Sequence, residues 1–196
     1  MRLSVLGLFL LVFAASSFAQ DNTYIKKPAL GLNFFFNDFG SAAAIRANPL
    51  GSAIRDKKLG KIEDMAPGLA ISYVKGITSH LDLAATIGGA FQDYPAQGGG
   101  NLGTDGLLVE ADASVRAKML SDKYFFVPYL TAGVGLSTYK GYYGATIPVG
   151  AGIQMNLFNN AFLIISSQYR VKVTDNTNYH FVHSIGFIGS LAKSKD

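Results

Sequence analysis

Seven charged residues stand where a chain could do chemistry. Asp82, Glu110 and Asp112 are acidic; Arg116, Lys118, Arg170 and Lys172 are basic. Carboxylates and cations held together out of water either pair as a structural network or, if water runs between them, line a path for ions. The three histidines add little. His180 and His183 are three apart, a spacing that shares a face on a helix but splits to opposite faces on a strand, so they cannot share a metal there. His183 and Ser184 are adjacent, and on a strand they too point apart, which denies a nucleophile its base. The chain has no cysteine, which removes thiolate chemistry, both catalytic and metal-binding. Gly98-Gly99-Gly100-Asn101-Leu102-Gly103 fits the spacing of a dinucleotide fingerprint, but that motif needs a helix after it. A strand pattern follows here, so the segment reads as a loop. No catalytic residue, metal site or cofactor is expected.

The elements that must position these charges have a period of two. Val109, Ala111, Ala113, Val115 and Ala117 alternate with Glu110, Asp112, Ser114, Arg116 and Lys118. Such a stretch is a strand with two unlike faces. Eight stretches of this kind occur, at 29–37, 66–75, 80–91, 106–119, 124–137, 146–158, 162–173 and 179–191. In each, every second position is apolar and the positions between are small or polar. A soluble sandwich hides its apolar face; here the hidden face would carry the charges. Apolar-out and polar-in is the pattern of a barrel in lipid. An eight-stranded barrel is just wide enough for side chains to fill, so the seven charges are expected to form a lumen network of ion pairs. Asp82 is placed with Arg116 and Lys118 at one end, and Glu110 within reach of Arg170 and Lys172 toward the other.

The ends of the chain agree. Arg2, the apolar run from Val5 to Ala15 and the small residues of Ser17-Phe18-Ala19 read as a signal peptide over 1–19, cleaved after Ala19. Residues 20–28 are then a periplasmic N-terminal segment, 29–191 the barrel, and 192–196 a periplasmic tail. The connections alternate between long (38–64, 92–105, 138–145, 174–178) and short (76–79, 120–123, 159–161), as external loops and periplasmic turns do. Aromatics gather near strand ends, among them Phe36, Tyr73, Phe91, Phe126, Phe158 and Tyr179. The net charge of +4 is small and evenly spread, so nucleic acid is not an expected partner.

Several segments carry a family resemblance: Gly31-Leu32-Asn33-Phe34-Phe35-Phe36-Asn37-Asp38, Pro128-Tyr129-Leu130-Thr131-Ala132-Gly133-Val134-Gly135, Gln168-Tyr169-Arg170 and His183-Ser184-Ile185-Gly186-Phe187. The chain resembles the small eight-stranded outer-membrane barrels of the OmpA/OmpX type, in particular the β-barrel domain common in Bacteroidetes. The resemblance implies an all-β, antiparallel, up-and-down transmembrane barrel in the cell outer membrane. Related barrels often continue into a periplasmic peptidoglycan-binding domain; this chain stops at Asp196, and that wall-anchoring role is expected to be absent. Ser184, Gly186 and Leu191 fit the closing-strand signal read by the barrel assembly machinery, while Gly189 departs from it.

The function expected is non-enzymatic: membrane integrity, or surface contact through external loops, by a monomer. A small porin-like pore and a lipid-modifying enzyme are the alternatives. Segment 38–64 is the longest connection and holds the best candidate for a contact. Its Ala-rich stretch from Ser41 to Ile54 suits a short helix broken at Pro49 and Gly51. Arg46, Arg55, Lys57, Lys58 and Lys61 are expected to meet lipopolysaccharide phosphates among the outer-membrane lipids. Tyr139, Tyr142 and Tyr143 offer a second, aromatic surface.

Overall fold

A computed structural model describes residues 24–56, 59–96, 100–101, 106–158 and 161–191. Its barrel strands are β1 (Ala29–Asp38), β2 (Ala66–Gly76), β3 (Leu81–Gln92), β4 (Gly106–Lys118), β5 (Phe126–Tyr139), β6 (Tyr142–Phe158), β7 (Ala161–Lys172) and β8 (His180–Ser190). Every neighbour is antiparallel and β1 pairs with both β2 and β8, which closes the sheet. Closure leaves no edge strand, so each strand has a hydrogen-bonded neighbour on both sides within the barrel wall.

The alternation in the sequence becomes the two faces of the wall. Phe34 lies opposite Leu69 on one side and Ile185 on the other, and all three point out. Leu32, Ile71, Ile87 and Val134 are likewise outward and more than half exposed, so the outer surface is a continuous apolar belt. The inner face carries Asn33, Ser72, Asp82, Glu110, Asp112, Arg116 and Arg170, all buried. Glycines make room for the larger inner side chains. A Cβ at Gly152 would run into the Tyr129 ring, and one at Gly186 into the Asn33 amide.

The strand boundaries differ from the sequence expectation chiefly in one place. The expected loop 138–145 is mostly strand: β5 runs to Tyr139 and β6 begins at Tyr142. The turn is Lys140-Gly141, with φ of 47° and 85°. Two positive φ values make the tight hairpin turn whose twist matches its strands, and Gly141 takes its left-handed position at no steric cost. The 92–105 connection carries a two-residue ladder, Pro95–Ala96 with Gly100–Asn101. The rest of its glycine run, at 97–99 and 102–105, lies outside the described residues, as do the Asn159-Asn160 turn, the signal segment and the tail.

The long connection after β1 forms two short helices, α1 (Phe39–Ala47) and α2 (Leu50–Arg55). Asp38 caps α1, its carboxylate accepting the Ser41 N–H at 2.7 Å. The break falls at Asn48-Pro49, because the residue before a proline is pushed out of the helical region. Gly51 does not break the helix as expected but sits inside α2. At the other end of the barrel, residues 24–28 lace the rim. Gly76 N–H donates to the Lys26 carbonyl at 3.0 Å, and Leu191 N–H to that of Pro28 at 2.8 Å. The end holding residues 24–28 is called the near end below, and the end bearing α1 the far end.

Candidate functional site

The interior is built in three layers. At the near end two cations and two carboxylates interlock. Lys26 Nζ lies 2.6 Å from Asp82 Oδ2, and Lys118 Nζ lies 2.9 Å from Asp82 Oδ1 and 2.9 Å from Asp122 Oδ2. Lys26 also reaches Asp122 at 3.6 Å and donates to Gln154, whose own amide N–H donates to Asp122 at 2.9 Å. The side chains of Lys26, Asp82 and Lys118 are only 1% exposed. Burial pushes the Lys26 ammonium below the ordinary lysine range, while Asp82 and Asp122 pull it back up. The balance of two positive and two negative groups is what allows all four to be buried.

The middle layer is looser. Arg116 lies opposite Asp82 in the strand register, yet its guanidinium turns to the Tyr129 ring, 5.3 Å from the centroid. Next to it is a cavity of about 40 Å³, lined in part by Asn33, Glu110, Asp112, Ser166, Gln168 and Arg170. That volume holds roughly three waters. Among the described residues, buried Arg116 Nε and Nη1, Arg170 Nε and Nη1 and Gln168 Oε1 have no hydrogen-bond partner, and water in this pocket would satisfy them. Above it Arg170 Nη2 donates to Asp112 Oδ2 at 2.8 Å, and His180 Nε2 meets Glu110 Oε1 at 3.2 Å. His180 is aimed by its other nitrogen, 3.0 Å from the Asn178 carbonyl.

An aromatic layer then covers the far end. Phe39, the first residue of α1, stacks on His180 with ring centres 4.6 Å apart and meets Tyr94 edge-on at 5.4 Å. Tyr94 stacks on Tyr139 at 5.1 Å. Tyr139 Oη donates to the Gln92 carbonyl at 3.0 Å, and Tyr94 Oη accepts the Asn178 N–H at 2.9 Å. Burial raises the Tyr94 phenol to about 12. The folded chain holds that proton more tightly than the unfolded chain, whose phenol has the ordinary value of 10.0. The stability carried by the phenol is therefore complete below pH 10 and falls as the pH rises through about 12. Over that window the unfolding midpoint of Tyr94→Phe should fall less steeply than that of the unsubstituted protein.

Six of the seven expected lumen charges line the interior, and the pairing of Asp82 with Lys118 is present. Lys172 is a correction. It sits at the far rim, partly exposed, 3.8 Å from the nearly fully exposed Asp175. It shares the inward parity of Arg170, but β7 ends at Lys172, so its side chain escapes to the rim. Of the two cations expected near Glu110, Arg170 lines the same pocket and Lys172 does not, and His180 meets the Glu110 carboxylate at 3.2 Å. Lys26, Asp122, Gln154 and His180 are partners that the sequence pattern does not assign. The only sequence signal for them is the inward parity of Gln154 and His180, since Lys26 and Asp122 lie outside the strands. His183 points outward and rests 3.7 Å from Asp38, while Ser184 bonds Ser166 at 2.8 Å on the inner face. Of the five basic residues of 38–64, three fall within the described residues. Arg46 lies over Tyr179 at 3.9 Å, Arg55 is exposed beside Asp56, Lys61 is exposed, and Lys57 and Lys58 lie outside the described residues.

A closed eight-stranded antiparallel barrel, polar inside and apolar outside, is the architecture of the small outer-membrane barrels of the OmpA/OmpX type. Solved structures with this fold are similar to the chain over nearly their whole length. Neisserial surface protein A aligns with a TM-score of 0.60 at 16% identity, over 85% of this chain and 99% of that one. OprG of Pseudomonas aeruginosa gives 0.54 at 10%, over 85% and 98%, and the N-terminal barrel domain of OprF from the same organism 0.51 at 12%, over 82% and 96%. No protein-family model and no curated protein matches the sequence. At these identities the likeness is one of fold.

Proposed function

We propose that the protein is a non-enzymatic barrel of the outer membrane, shut at both mouths, that supports membrane integrity and meets its surroundings through its far-end segments. The observation that carries this reading is the inversion of the wall: an exposed apolar belt around buried, paired charges. In water such a belt would drive aggregation; in lipid it is the solvated face. The even strand count puts both chain ends of the barrel, Ala29 and Ser190, on the near side, which is the periplasmic side in this reading, and α1 outside. Outer-membrane lipid and lipopolysaccharide are then its surroundings, the assembly machinery its partner during insertion, and the monomer its working form.

The near-end charge cluster and the far-end aromatic layer favour a barrier over a pore, since each fills the lumen with packed side chains and between them lies a pocket of about 40 Å³. Purified protein in a planar bilayer is expected to show no unitary current steps, while an unboiled sample on an SDS gel migrates apart from a boiled one. Discrete steps at every insertion would replace this reading with that of a small pore. Failure of the mobility to change on boiling, with the protein recovered in the soluble fraction, would overturn the membrane reading as a whole.

A further inference from the structure

We infer that the far rim above β7 and β8 binds the phosphorylated headgroup of an outer-leaflet lipid, with Arg46 and Lys172 as its cations. The inference rests on the outer-membrane reading and adds a ligand and a place to it. Two elements distant in sequence bring these cations to one ring. Arg46 comes from α1, its guanidinium 3.9 Å from the Tyr179 centroid; Lys172 comes from the end of β7, its Nζ 6.0 Å from the same centroid. Arg46 is exposed and has no ion pair among the described residues. A guanidinium stacked on a ring uses its face, which leaves its in-plane N–H groups free to grip two oxygens of a phosphate.

What lies beneath the cations has the depth order of a lipid. Tyr169 stacks under Tyr179 with ring centres 5.9 Å apart, Phe181 follows at 4.9 Å from Tyr169, and His183 lies parallel to Phe181 at 5.7 Å. Next come Ile165 and Ile185, opposite one another in the register and both exposed. The column therefore runs from cation through amphipathic ring to aliphatic side chain, as a lipid runs from phosphate through its linkage region to acyl chain. Tyrosine at the headgroup level is the usual anchor of a membrane protein, but an anchor alone does not require two converging cations. The neighbouring acids do not cancel them. Asp175, 3.8 Å from Lys172, is almost fully in solvent, and Asp38 beside His183 is buried, with Oδ1 taken by the Ser41 N–H. A phosphate can displace Asp175 from Lys172 at little cost, because exposed pairs are weak.

The test is native mass spectrometry of the full folded chain in micelles of a neutral detergent. The probes are a bisphosphorylated lipid A, its dephosphorylated form, and inorganic phosphate as competitor, and the boiled-against-unboiled gel is run on each sample. The phosphorylated lipid should be retained about 10-fold better than the dephosphorylated one, a preference of the size that charge-assisted hydrogen bonds confer. Arg46→Gln with Lys172→Gln should abolish that preference, while Arg55→Gln, exposed on α2, should leave it intact. Equal retention of the two lipids overturns the site, as does a preference that survives the double substitution or is equally lost in Arg55→Gln. Displacement of the lipid by millimolar phosphate would make it a free-anion site and overturn the lipid as ligand. A protein that shifts on boiling yet shows no preference sinks this site alone; one that does not shift sinks the barrel reading beneath it.

Discussion

Asp82→Leu is expected to weaken the barrel by about 3–5 kcal/mol, the cost of leaving a buried charge without its partner. Asp82 is fully buried and is the carboxylate shared by Lys26 and Lys118. Its removal leaves two buried ammonium groups facing Asp122 alone. The measurement is equilibrium urea unfolding in detergent micelles, read by circular dichroism and by the heat-dependent gel shift. The informative control is the double variant Asp82→Leu with Lys26→Met. It removes one charge of each sign and leaves Lys118 paired with Asp122 at 2.9 Å, so it should recover most of the loss. Replacing a buried ion pair with apolar groups of similar volume is often close to neutral. A single variant as stable as the parent would mean that water, not Asp82, balances the lysines and that the near end is open.

The sequence made the wall legible because a pleated strand imposes its period on side chains whatever the context. The stretch 109–118 placed Asp112, Arg116 and Lys118 inside, and that inward parity, with a common near-end height, was enough to pair Asp82 with Lys118. It was not enough to find Lys26 or Asp122. Segments outside the strands have no period, and nothing local says that residues 24–28 turn back under the rim. His180 shows a second kind of limit. Its inward parity was visible, but which residue it meets depends on how strands are staggered around the closed barrel. Glu110 and His180 are on strands that do not pair with one another, so their meeting across the lumen needs the closed geometry. Lys172 departs from its expected lumen position because parity says which face a residue is on and not how far up the strand the wall still encloses it. The 138–145 segment departs from its loop expectation for a chemical reason. Its tyrosines and glycines have loop composition, yet Lys140 tolerating a positive φ beside Gly141 lets the strands run on to the tight turn.

The outer face makes the last prediction, and it separates lipid from water as the solvent of the belt. Ile87 lies mid-strand on β3, between Ile71 of β2 and Ala111 of β4, and is 57% exposed. Phe91 lies two outward positions nearer the far rim and is 70% exposed. For a protein in water, arginine at either exposed site changes stability by at most about 0.5 kcal/mol. For a barrel in a bilayer the cost depends on depth: about 2–4 kcal/mol at the midplane, falling to about 0–1 kcal/mol toward the interface. Ile87→Arg should therefore lose several times what Phe91→Arg loses when both are unfolded from phospholipid vesicles. The difference between the two is the useful quantity, because it cancels the general effect of adding a charge. If both variants unfold with the parent, the belt is not lipid-facing and the exposed apolar residues of every strand need another cover. If Ile87→Arg alone falls, the midpoint of β3 lies in the hydrocarbon and Phe91 lies toward the headgroups.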